Sequence, residues 1–100
     1  MSDIDDKITV QSITSPGRTE RVNRAKYMAM REALIAVLPS SAPGITVAEA
    51  KESLLAHLPD NLFPAGATAG WWLKCVQLDL EAKGIVVRET SKPLRLHRAK

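Results

Sequence analysis

The sequence predicts one α+β domain, with three helices followed by a C-terminal β-hairpin. Apolar residues recur at helical steps in three separate stretches, and a capping box opens the second of them. A glycine stop after the third leads into two short extended runs around a turn. A chain of 100 residues with 45% apolar content can build one core and has no room for a second domain.

Residues 1–18 read as a flexible tail, in which Ile8, Val10 and Ile13 hint at a short extended segment and Ser15-Pro16-Gly17 breaks any helix. The domain proper is expected over 19–98. Its first helix is predicted from Thr19, as N-cap, to Leu38, because Val22, Tyr27, Met30, Ala33, Leu34, Val37 and Leu38 return at three- and four-residue steps. Pro39 and the Ser40 to Gly44 stretch end it. Ile45 reads as a short strand. Thr46-Val47-Ala48-Glu49 is the capping box, followed by apolar Val47, Ala50, Leu54 and Leu58 and closed by Pro59. After the Asp60 to Gly66 loop, a third helix is predicted over Thr68 to Lys83, with Gly84 at the position that follows a helix C-cap. Ile85 to Arg88 and Leu94 to Arg98 read as two strands around a Glu89 to Pro93 turn. Leu80, Ile85 and Leu94 are expected to share one core.

Several function classes lose support at once. Cys75 is the single cysteine and cannot close an internal disulfide. With only His57 and His97 beside it, a four-ligand zinc site would have to recruit carboxylates, so no metal and no cofactor are expected. No nucleophile–base pair, phosphate loop or carboxylate pair is present, and the chain is not expected to be an enzyme. An acidic start, Met1 to Asp6, and the absence of a long apolar run point to a cytoplasmic protein without membrane attachment.

The net charge of +3 conceals an uneven layout. Residues 1–17 carry −2, residues 18–31 carry +4, residues 32–82 carry −4 and residues 83–100 carry +5. Arg18, Arg21 and Arg24 fall at the predicted start of the first helix, where the macrodipole favours carboxylates. They are either solubilising charges or phosphate contacts. Arg88, Lys92, Arg95 and Arg98 in the hairpin pose the same choice.

Stepping the third helix at about 100° per residue puts Trp71, Cys75, Leu78 and Ala82 on one face and Trp72, Leu73, Val76 and Leu80 on the opposite one. On the remaining arc, Lys74 and Gln77 alone suit guanine or adenine edges. Trp71 and Trp72 read as core or subunit-interface residues, with base stacking as the competing use.

The order helix, short strand, helix, helix, hairpin, with Leu80-Glu81-Ala82-Lys83-Gly84-Ile85-Val86 joining the last helix to the hairpin, resembles the winged helix-turn-helix class over about residues 19–98. Ser15-Pro16-Gly17-Arg18, Lys26-Tyr27, Leu62-Phe63-Pro64 and Gly70-Trp71-Trp72 are similar to a group of small uncharacterised bacterial proteins of this length. The resemblance implies duplex DNA as partner and a role in transcriptional regulation, with the third helix in the major groove and the hairpin as a wing on the backbone. One departure stands out: about eight residues join the second and third helices, where a helix-turn-helix uses about 3 to 4. The alternative is a protein-interaction or homodimerisation module on the same scaffold.

Overall fold

The computed structural model describes residues 7–90 and 92–99. Residues 1–6 of the expected tail and Ser91 of the expected turn lie outside the described residues. From Lys7 onward the tail expectation is corrected. Strand β1 (Lys7–Val10) pairs antiparallel with β2 (Glu20–Asn23), Ile8 opposite Val22 and Val10 opposite Glu20. Val10 and Val22 are buried in the main core, so this hairpin is packed onto the domain.

Pairing also moves the start of the first helix. Helix α1 runs Arg24–Val37, and its N-cap is Asn23, whose side chain accepts from the Lys26 amide at 2.9 Å. Thr19 lies outside it. Over Glu20 to Asn23 the alternation that buries Val22 and exposes Arg21 has period two, and the partner strand β1 completes it. Asparagine is also the stronger cap. Arg18 and Arg21 therefore do not sit on a helix end, and the dipole conflict expected of them is absent; Arg24 alone opens α1.

The middle of the chain follows the predicted order. β3 (Ile45–Thr46) leads into α2 (Val47–Leu54), where Thr46 Oγ1 accepts from the Glu49 amide at 3.1 Å and Glu49 Oε1 accepts from the Thr46 amide at 2.9 Å. The Thr46 amide, and then the Thr46 hydroxyl, both donating to Glu49 Oε1, hold the Glu49 carboxyl below its ordinary range. A 3-10 turn, Leu55–His57, closes α2, and another, Pro64–Gly66, lies in the connection to α3 (Ala69–Ala82). Gly84 follows α3 at φ +76, as a C-terminal stop requires.

β4 (Val86–Glu89) and β5 (Arg95–Arg98) form the C-terminal hairpin, and β3 adds to the other side of β5, giving the order β3-β5-β4 with both pairings antiparallel. Gly44 makes the β3–β5 approach possible. Its φ is +84, and a Cβ there would fall 2.0 Å from the Leu96 carbonyl oxygen. The core joins α1, α2, α3 and both sheets; Leu80 and Leu96 are fully buried in it, and Ile85 and Leu94 are partly buried against it.

Candidate functional site

The two sides of α3 differ in kind. Its inward side buries Ala69, Trp72, Leu73, Val76 and Leu80, and Phe63 meets Trp72 edge-on with ring centroids 6.5 Å apart. Three polar residues are buried with them. Gln77 donates to Glu81 Oε2 at 2.9 Å, and Glu81 in turn receives the Arg88 guanidinium from β4, which raises the arginine's already high pKa. Asp79 is 0% exposed and accepts from the Tyr27 hydroxyl, from Lys83 Nζ at 2.9 Å and from the Gln11 amide at 2.8 Å. A buried carboxylate is tolerated only when its lone pairs are met, and here α1, α3 and the residue after β1 each meet one. Burial, and then the hydrogen bond to Asp79, push the Tyr27 phenol well above its ordinary pKa.

Asp79 thereby fixes the segment after β1 along α3. The Ile13 amide donates to the Leu78 carbonyl at 3.2 Å, and residues 11–20 run beside the outward side of the helix. Between them lies an open cleft of about 660 Å³. Its α3 wall is Trp71, Lys74, Cys75 and Leu78; the opposite wall includes Ser12, Thr14, Arg18 and Glu20. Trp71 keeps 54% of its surface exposed, whereas Trp72, 5.0 Å away between ring centroids, keeps 8%. The Cys75 thiol is pushed up to about 11, first by burial and then by the Glu20 and Asp79 carboxylates, so it stays protonated and is a poor nucleophile.

The residues singled out from the sequence fall into two groups. Trp71, Lys74 and Arg18 come together in the cleft. Gln77 does not join them: it is buried on the other side of α3 and bonded to Glu81, which removes it as a base contact. Trp72 is core. Of the hairpin cations, Arg88 is held by Glu81, Arg95 donates to the Gly44 carbonyl at 3.1 Å, and Arg98 donates to the Leu38 carbonyl at 2.9 Å. These three stitch the C-terminal hairpin strands to α3, to the turn before β3 and to the end of α1. Lys92 is exposed at the hairpin turn, and Arg21 and Arg24 are exposed near the start of α1, where Arg24 also donates to the Lys7 carbonyl at 3.0 Å. Arg98 meets the far end of that helix, about 21 Å away at 1.5 Å per residue over 14 residues. The two basic segments thus reach opposite ends of α1.

Sequence reasoning passed over Asp79, Tyr27 and Glu20. A signal for the first was present in Leu78-Asp79-Leu80, a carboxylate between two apolar residues on a helix with apolar sides. Among the described residues no group of three or more His, Cys, Asp or Glu is placed to hold a metal, and no helix is long and apolar enough to cross a membrane.

A family model matches residues 7–96, from the first residue of β1 to the second residue of β5. The chain belongs to the Family of unknown function (DUF6958). The DUF6958 match spans the residues of the N-terminal hairpin and those lining the cleft it forms with α3. Neither the curated proteins nor the solved structures give a match.

Proposed function

We propose that this DUF6958 chain is a winged-helix domain that serves as a protein-docking module, with the cleft beside α3 as its binding surface. The scaffold reading is supported by the order α1, β3, α2, α3, β4, β5 and by the sheet order β3-β5-β4, in which β4 and β5 form the wing. The observation that carries the docking reading is Trp71, 54% exposed on an otherwise half-apolar cleft wall. Exposed aromatic side chains in concave, partly apolar surfaces are where binding energy concentrates. A base-reading helix offers three or four polar side chains to the groove. The outward side of α3 offers Lys74, and Gln77 is turned inward.

A duplex-DNA reading keeps one specific support, the exposed cations Arg18, Arg21, Arg24, Lys74 and Lys92. Such binding would be largely insensitive to sequence, with log affinity falling against log salt at a slope of roughly −3 to −4. Transcriptional regulation would then rest on a partner that supplies specificity.

The experiment that separates these readings places a photo-reactive benzophenone amino acid at position 71 in living cells. The docking reading expects a discrete protein adduct that is absent when the same group replaces Glu52, an exposed residue of α2. An adduct to nucleic acid, or none, overturns it.

A further inference from the structure

We propose that the cleft beside α3 is occupied by a second copy of this chain, related by a two-fold axis passing near Cys75. The inference rests on the docking reading and adds the identity of the partner.

The apolar centre of the surface is the stripe Trp71, Cys75, Leu78, which covers about 10 Å of α3 at 1.5 Å per residue. Ile13, 43% exposed and bonded through its amide to the Leu78 carbonyl, prolongs the stripe at one end. Around this centre stand Arg18, Lys74 and Glu20. Among the described residues none of these three side chains makes an ion pair or a side-chain hydrogen bond. An apolar surface ringed by one sign of charge calls for a partner of the other sign, but this ring carries both. In a two-fold contact the same patch faces itself, so each pairing is made twice. A patch with an apolar centre and both signs at its edge is complementary to its own copy.

The stripe also has a direction, bulky at Trp71 and smaller at Leu78. Antiparallel packing of the two α3 helices sets Trp71 of each copy against Leu78 of the other and fills the contact evenly, and it opposes the two helix dipoles. An axis near Cys75 brings the two Lys74 ammonium groups toward each other. Glu20 of the opposite copy is the carboxylate on the facing wall that offsets them, and Arg18 lies two residues from it. This pairing fixes what the charges do: Glu20 recognises the second copy.

Sedimentation of the full chain from about 1 to about 100 µM tests the proposal, a range that spans a micromolar dimer. The expected result is a monomer that becomes a dimer, with Trp71→Ala weakening association at least tenfold. Glu20→Lys and Lys74→Glu should each weaken it at least threefold, and the doubly exchanged protein should recover to within about threefold of the original. A monomer at about 100 µM, a dimer indifferent to Trp71→Ala, or a double exchange no better than the single ones overturns the proposal. A monomer whose position-71 adduct contains a different protein overturns the second copy and leaves the docking reading standing. A monomer without a protein adduct overturns both.

Discussion

Trp71 and Trp72 follow one another on α3, yet the first keeps 54% of its surface exposed and the second 8%. Around Trp72 the helix is closed by Phe63 and the aliphatic core, and the polar groups buried on that side, Gln77, Asp79 and Glu81, are each bonded. Around Trp71 the wall is half apolar and its charges have no partners within the described residues. Satisfied polar groups mark a surface finished by folding, whereas exposed aromatic area beside unpaired charge marks one that is finished by binding.

The largest expected effect sharpens that contrast. Trp72→Ala should cost about 3 to 5 kcal/mol in urea unfolding, as for a buried aromatic side chain, and Trp71→Ala less than about 1 kcal/mol when measured on the monomer. Equal losses would mean that both rings belong to the core and that the outward side of α3 has no separate role.

Next comes the carboxylate that holds the N-terminal hairpin against α3. Asp79→Asn keeps the shape but removes the charge that accepts from Tyr27, Lys83 and the Gln11 amide, so stability should fall by about 1.5 to 3 kcal/mol. Hydrogen exchange at the Gln11 and Ile13 amides should accelerate more than at Leu80. Unchanged exchange there would show that the hairpin, and with it the cleft wall, is held by something other than Asp79.

A smaller effect follows from the Tyr27 phenol, the chain's single tyrosine. The fold holds its proton more tightly than the unfolded chain does. Its contribution to stability is therefore complete below the ordinary pKa near 10 and is lost as pH rises beyond that value. Absorbance of tyrosinate should stay absent from the folded protein through pH 10 and appear on unfolding. Ordinary titration near pH 10 in the folded state would contradict the Tyr27–Asp79 contact.

Least in size is a change on the connection that delivers Trp71. Thr68, just before α3, has φ 60, a left-handed conformation that costs a β-branched residue free energy. Thr68→Asn should raise stability by about 0.5 kcal/mol, because asparagine tolerates this conformation. A loss would show that the threonine side chain, whose hydroxyl donates to the Ala67 carbonyl at 2.6 Å, contributes more than the strain removes.

Much of the fold was legible in the sequence because local chemistry and tertiary context agree there. The Thr46–Glu49 capping box, the Gly84 stop and the alternation of Leu94 to Arg98 each satisfy a nearby backbone requirement, and the structure places all three as expected. Of the N-terminal hairpin, the extended segment around Ile8 and Val10 was legible and its partner strand was not, since Val22 fits a helical step from Met30 as well as it fits a strand. Only the pairing partner, β1, decides between them. The same error put Arg18 and Arg21 on a helix end, from which the β1–β2 pairing removes them. At the site, period alone separates the face of Trp71 from that of Trp72 and puts Lys74 on a polar arc, but the wall facing Trp71 comes from residues more than fifty positions earlier in the chain. Gln77 was misjudged for a related reason. A polar residue on a helix reads as exposed until a buried partner, here Glu81 with Arg88 behind it, is known.

The most direct test of the central claim, that the outward side of α3 is a surface completed by a second copy, is the fluorescence of Trp71 alone. Trp72→Phe leaves it as the chain's sole tryptophan. At sub-micromolar concentration its emission should be that of an exposed indole, open to quenching by acrylamide. As the protein rises toward about 100 µM the emission should shift to the blue and quenching should fall, with a midpoint matching the dimerisation measured by sedimentation. An indole that remains equally exposed and equally quenched across that range, with the variant folded, would contradict the account.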